Sequence, residues 1–195
     1  MGKEIELIIP ENGLISLNIP LAYTRTGTSS TRTTHPHYMK MLQDLIAELG
    51  IQVKIKNPFQ FKTKGEMILE CKDRGFLQEI LDKTMSCSHP DVGRHQGMKI
   101  TMHCGYCLPC TIRRAAIQKG GLHDTSTYFD SRYKKLPVAR QAYRTYKCAF
   151  NNFDENNAFL RIQESGPIGE NIEQFADLYV RGMKEMRECL EKINV

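Results

Sequence analysis

The apolar positions come first as short β-branched runs and then at helical spacing. Ile5-Glu6-Leu7-Ile8-Ile9 is such a run, closed by Pro10, and Leu14 to Ile19 follows the turn signal Glu11-Asn12-Gly13 as a strand or a short helix. Beyond Pro36, Met39, Met41, Leu42, Leu45, Ile46 and Leu49 recur near a helical period, and Gly50 supplies a C-terminal stop. Ile51-Gln52-Val53-Lys54-Ile55 alternates as a strand does, and residues 64–74 read as a short helix stopped by Gly75. Strand, helix, strand, helix predicts an α/β layer. Ser165-Gly166-Pro167 breaks the chain before a last amphipathic helix. Its stripe of Ile172, Phe175, Ala176, Tyr179, Met183, Met186 and Leu190 is expected to cover the core.

Residues 23–34 are almost wholly Thr, Ser, Gly and Arg. They cannot pack as a core element, and a spacer of that length is expected to line a site. With 195 residues, 41% of them hydrophobic, the chain can bury one ordinary core and an appendage. The charged start and the lack of any run near about 20 apolar residues point away from a signal peptide or a membrane span, so a cytoplasmic location is expected. The net charge of +5 suits anionic substrates without calling for nucleic acid, which is not an expected partner.

Seven cysteines in a reducing compartment argue for metal or thiolate chemistry over disulfides. Cys104-Gly105-Tyr106-Cys107-Leu108-Pro109-Cys110 places three thiols within seven residues, and Cys87 can supply a fourth across a loop. That is the ligand set of a closed structural zinc site, which stabilises a fold and leaves no open position for catalysis. Gly105 permits the tight turn after Cys104. A four-iron cluster also uses two-residue spacings, but in that pattern the remaining Cys lies downstream and precedes Pro. His89, His95 and His103 are expected to be solvated or to stand behind the ligands, and Cys71, Cys148 and Cys189 to be small core residues. Arg113 and Arg114 open the helix expected at residues 111–119, where a dianionic zinc site offsets their unfavourable position near a helix N-terminus.

Ser86-Cys87, the Cys104–Cys110 cluster, Arg113, Arg114 and Gly121-Leu122-His123-Asp124 resemble the C-terminal zinc segment of the 7-cyano-7-deazaguanine synthase-like (QueC-like) family. Upstream, Arg32 followed by Pro36 is similar to that family's Arg-Pro-Glu-Phe substrate loop, with an insertion. Phe61-Lys62-Thr63-Lys64-Gly65-Glu66-Met67 resembles its Leu-Thr-Lys-x-Glu-Ile helix start. The likeness runs over about residues 5–125, and Glu11-Asn12-Gly13 with Ser30 to Pro36 looks most like the QatC branch of the Qat anti-phage defence system.

The resemblance implies an α/β fold: the C-terminal half of a doubly wound, adenine nucleotide alpha hydrolase-like sheet, with a four-cysteine zinc segment and a helical C-terminal extension. It implies a partial α/β substrate side at 1–84, a zinc-binding segment at 85–125 and the extension at 126–195. The family's enzymes activate a deazapurine carboxylate with ATP through a Ser-Gly-Gly-x-Asp-Ser loop. That loop does not occur in these 195 residues. The chain is therefore expected to be the zinc-bearing portion of such a ligase and inactive alone, with ATP and Mg²⁺ reaching it only through a missing N-terminal half. Its partners would be the deazapurine and either a second chain carrying that half or other defence-system proteins; no membrane partner is expected. Arg32, Glu11, Asn12 and Lys64 are the substrate-side candidates, Arg32 because a guanidinium grips a carboxylate or phosphate bidentately. Each has a plainer reading as a solvated loop charge, a turn residue or a basic first turn, and no catalytic residue is named. The competing function is a stand-alone zinc-stabilised module gripping nucleic acid or protein through Arg113, Arg114, Arg132, Lys134 and Lys135 beside Tyr106, Tyr128 and Tyr133.

Overall fold

The computed structural model describes residues 5–21 and 33–193. They divide into two compact units, one made of Met1–Thr63 with Asp154–Gly182, the other of Lys64–Phe153 with Met183–Val195.

In the first unit, β1 (Ile5–Ile8) and β2 (Val53–Lys56) form a two-stranded parallel sheet, with Ile5 opposite Val53 and Ile8 opposite Lys56. Parallel strands need a crossover, and α2 (Pro36–Glu48) lies within it. Gly50 ends that stretch with φ +71, as the sequence predicts. The segment after β1 resolves as a helix, α1 (Gly13–Leu17), capped by Asn12, whose Oδ1 accepts from the Ile15 N–H at 3.1 Å. Gly13 is required where it stands: a Cβ there would lie 1.9 Å from the Gln60 carbonyl oxygen. Leu14 packs against Gly182 and Gly13 against Leu178, so α1 rests on the first part of α9 (Ile172–Glu191). The Phe61 and Phe175 rings meet at 4.8 Å. The expected stripe of α9 is buried at Phe175, Tyr179, Met183, Met186 and Leu190.

Of the two strands, β1 is bare, whereas Val53 and Ile55 of β2 are half-buried. The Ile5 and Ile9 N–H groups donate to Gln52 O and Lys56 O, so odd positions of β1 face β2 and the backbone groups of Glu6 and Ile8 face outward. The far edge of β2 is closed by one side chain, the Gln43 amide, which donates to Val53 O at 3.0 Å and accepts from the Ile55 N–H at 2.7 Å. Nothing comparable closes β1 among the described residues, and Ile5, Leu7 and Ile8 stay 63%, 49% and 58% exposed.

In the second unit, α3 (Lys64–Leu69) packs on α6 (Leu108–Lys119), and Ile68, Leu81, Ala116 and Ile117 form its core with Leu77 and Leu122 beside them. The expected single helix over 64–74 is two: α3 ends at Leu69, and α4 (Arg74–Ile80) starts afresh because the Asp73 carboxylate accepts from the Phe76 N–H at 2.8 Å. Gly75 is therefore inside a helix and does not stop one. The short α5 (Val92–His95) leads to the cysteine cluster, and α7 (Pro137–Asn151) follows it. A last short helix, α8 (Ala158–Arg161), precedes α9 in the first unit. Cys189 is buried as expected, but Cys71 is half-buried and Cys148 is exposed, because α7 turns Ala139, Tyr146 and Phe150 inward instead. Among the described residues no helix is long and apolar enough to cross a membrane.

Candidate metal centre and its supports

Cys87, Cys104, Cys107 and Cys110 come together with all four Sγ atoms within 4.8 Å of one another. The Cys87–Cys107 and Cys104–Cys110 sulfur pairs are each 3.9 Å apart. A disulfide needs about 2.05 Å, so these are free thiols, whereas a regular tetrahedron with Zn–S bonds of about 2.3 Å has edges of about 3.8 Å. The donor set and its spacing fit a tetrahedral soft-metal ion.

Local sequence builds this cage. Gly105 takes φ +89, and a Cβ there would meet the Asp130 carbonyl oxygen at 2.8 Å. Cys107 is the N-cap of α6, with Pro109 in the first turn, so Cys107 and Cys110 sit at the positive end of a twelve-residue helix that favours thiolates. Four backbone N–H groups donate to sulfur: Ser88 and His89 to Cys107 and Cys87 at 3.5 and 3.2 Å, Cys104 to Cys87 at 3.1 Å, and Cys107 to Cys104 at 3.3 Å. Each stabilises the charged form of its acceptor.

Hydrogen bonding within the cluster splits the thiols. Contact with Cys104 pulls Cys87 down to about 7 and lowers Cys107, while Cys104 and Cys110 are pushed up by their sulfur neighbours. Four sulfurs this close cannot all ionise on their own, since each new charge opposes the last. A divalent cation removes that conflict.

His103 stands behind the ligands. It is buried, with Nε2 3.2 Å from Thr84 O and Nδ1 4.0 Å from the Cys110 sulfur, and burial lowers its pKa from the usual value. His89 and His95 are exposed, and the His89 ring stacks on Tyr106 at 6.1 Å. The two arginines near the start of α6 have definite partners of their own. Arg113 is buried, and its guanidinium donates to Leu81 O at 2.5 Å, Thr84 Oγ1 at 2.7 Å and Ser126 Oγ at 2.9 Å. Arg114 reaches Gly105 O at 3.4 Å and lies over the Tyr128 and Tyr133 rings. Both cations stitch together the segments that carry the cysteines.

Sequence reasoning missed the strap formed by residues 127–136. His103 N–H donates to Thr127 O, Phe129 N–H to His103 O and Asp130 N–H to Cys104 O, which lays the strap along the cysteine knuckle. Asp130 is buried and its carboxylate accepts from the N–H groups of Lys134, Lys135 and Leu136 at 2.8–3.1 Å. Tyr133, at φ +57 and fully buried, meets Thr111 Oγ1 at 3.1 Å, and burial pushes its phenol up to about 12. Tyr146 of α7 donates to Tyr106 O at 3.1 Å. Asp130→Ala is expected to lower stability by about 3 kcal/mol, since it orphans three inward N–H groups. A urea melt read alongside zinc content checks this, and an unchanged midpoint would deny the strap its role.

A profile described as queuosine biosynthesis protein QueC matches residues 19–121, more than half of the chain. The chain belongs to the QueC family. Comparison with curated proteins and with solved structures gave no match. Membership brings the expectation of an α/β, nucleotide alpha hydrolase-like fold, with which the parallel strands, helices and four-cysteine cluster are consistent. The match takes in all four cysteines and ends before the strap.

The substrate-side candidates fall less neatly. Asn12 is buried, and its amide is occupied in capping α1 and in donating to Glu11 Oε1 at 3.0 Å. Glu11 Oε1 also accepts from the Asn12 N–H, and its backbone carbonyl accepts from Asn57 Nδ2 at 2.8 Å. Lys64 opens α3 in the other unit, with Nζ 3.5 Å from Ser86 Oγ, one residue from the Cys87 ligand. Arg32 and Thr31 lie outside the described residues. The binding surface considered as an alternative is exposed at Arg132, Lys134 and Lys135, with Tyr128 half-buried. Arg113, Tyr106 and Tyr133 are buried, and Arg114 is half-buried.

Proposed function

We propose that this chain is the zinc-bearing, substrate-side portion of an ATP-dependent 7-cyano-7-deazaguanine synthase-like ligase, of the QatC type, and works only with an ATP-binding α/β half. Cys87, Cys104, Cys107 and Cys110 hold one structural Zn²⁺, which supplies folding energy and no open coordination position. Arg32 grips the carboxylate of a deazapurine, and Lys64, whose Nζ lies 3.5 Å from Ser86 Oγ, is a separate basic candidate. ATP, Mg²⁺ and the phosphate-binding loop come with the other half, because the Ser-Gly-Gly-x-Asp-Ser motif that would cradle a pyrophosphate does not occur in these 195 residues.

The observation that carries the reading is the open, apolar β1. Parallel sheets are covered on both faces and extended on their edges, yet β1 has outward backbone groups at Glu6 and Ile8 and exposed apolar side chains on both faces, while Gln43 seals the opposite edge of the pair. A sheet finished on one side and raw on the other suits a strand that is interior in the working enzyme. The test supplies an ATP-binding half of the family as a second chain. The two are expected to co-elute, and Ile8→Asp, which places a charge on an exposed position, is expected to abolish co-elution while zinc content stays unchanged. Co-elution unaffected by Ile8→Asp, or tight ATP binding by the 195 residues alone, would sink the proposal.

A further inference from the structure

We infer that the strap and the exposed face of α7 form a binding surface for the phosphate backbone of nucleic acid. The charge of this chain is not spread evenly. Residues 131–153 hold six of its 27 basic residues and none of its 22 acidic ones, which leaves 21 against 22 elsewhere. The six are Arg132, Lys134, Lys135, Arg140, Arg144 and Lys147, and all are exposed. The segment lies beyond the QueC match and outside the zinc ligands, so neither accounts for it.

The arrangement is repulsive as well as basic. Arg140, Arg144 and Lys147 sit at i, i+4 and i+7 of α7, on one face, where like charges destabilise a helix. Arg140 also falls in the first turn, which has no acid and no capping side chain, against the favourable polarity of the helix. Some cations elsewhere are answered by acids three or four residues away, as in Lys40–Asp44, Arg161–Glu164, Arg181–Asp177 and Arg187–Glu191, whereas this segment holds no acid at all. Among the described residues none of the six has an ion-pair partner; the Arg140 guanidinium meets only the Lys134 carbonyl, at 2.6 Å. A face that keeps its repulsion is built for an anion from outside.

The surface is also pre-set. Asp130 fixes the backbone N–H groups of Lys134 and Lys135, and its own N–H is tied to Cys104 O, so the loop cations ride on the metal knuckle. Lys135 lies over the Phe129 ring at 5.0 Å and Lys147 over Tyr143 at 5.9 Å, which limits their motion. From Arg140 to Lys147 the helix advances about 10 Å, a length over which a duplex carries about six phosphates. An acidic peptide would need apolar anchor points as well, and the only large apolar side chain exposed on α7 is Val138.

The test uses the full zinc-loaded chain and fluorescence anisotropy with labelled single-stranded RNA, single-stranded DNA and duplex DNA at 50 and 200 mM salt. Affinity for at least one is expected to fall by about a hundredfold between the two salts, the release expected when about four phosphates are neutralised. The triple variant Arg140→Ala, Arg144→Ala, Lys147→Ala is expected to bind at least about tenfold more weakly at low salt and to reduce the slope by about 2. Lys134→Ser with Lys135→Ser carries the same test should the triple variant lose zinc or unfold, and Arg140→Lys with Arg144→Lys should keep most of the affinity. Absence of binding to all three at 50 mM salt overturns the inference. So does equal affinity for poly-glutamate, or alanine variants that bind as tightly as the parent.

Discussion

Replacing Cys107 by Ser is expected to strip the chain of its metal, expected at about one zinc per chain, and to unfold the knuckle over residues 85–136. Cys107 is the N-cap of α6, accepts from Ser88, donates its N–H to Cys104 and lies 3.9 Å from Cys87, so one substitution breaks the cage and the helix start together. In small closed sites the metal contributes about 10–16 kcal/mol of folding free energy, more than the net stability of most domains. The strap follows the knuckle, because its backbone bonds run to His103 and Cys104. Chelation should reproduce the effect, and metal should be released as pH falls, since the thiolates must gain protons to leave. Elemental analysis with amide hydrogen exchange over residues 85–136 reads both parts. Iron with acid-labile sulfide in place of zinc, or full protection in a metal-free Cys107→Ser chain, would refute this account of the site.

The legible parts of this protein were those written in contiguous spacing. Cys104, Cys107 and Cys110 are seven residues of chain, and their geometry follows from a glycine turn and a helix N-terminus that the same letters announce. Both strands and the helix ending at Gly50 were legible for a similar reason, since alternation and helical period are local. The strap was not. Asp130 and Tyr133 lie in a polar and aromatic stretch without period, and their burial depends on Gly105 and Thr111, more than twenty residues away in the chain. Gly75 misled because glycine marks helix ends on average, while here the Asp73 cap two residues earlier decides that a helix begins. Asn12 read as a loop residue free to meet a ligand, and only the Ile15 bond identifies it as a cap. No pattern in Ile5-Glu6-Leu7-Ile8 says that its faces are bare, because the strand has the composition of a buried one.

In an enzyme assembled from this chain and an ATP-binding half, Arg32→Ala is expected to raise the KM for the deazapurine acid or lower kcat by about ten- to a hundredfold. That is the scale of one lost charge-assisted contact of about 1.5–3 kcal/mol. Zinc content should not move, since Arg32 is not one of the four ligands. Loss of zinc together with activity would mean that Arg32 supports the fold and does not grip the substrate.

The central claim is that these residues are one part of an adenylating ligase, and AMP release tests it most directly. ATP and 7-carboxy-7-deazaguanine are incubated with the 195-residue chain, with an ATP-binding half of the family, and with both together, and AMP is followed by chromatography. The account predicts AMP in the combined mixture and only background in either part alone. AMP formed at ordinary enzyme rates by the 195 residues by themselves, or none from a mixture whose two parts co-elute, would contradict it.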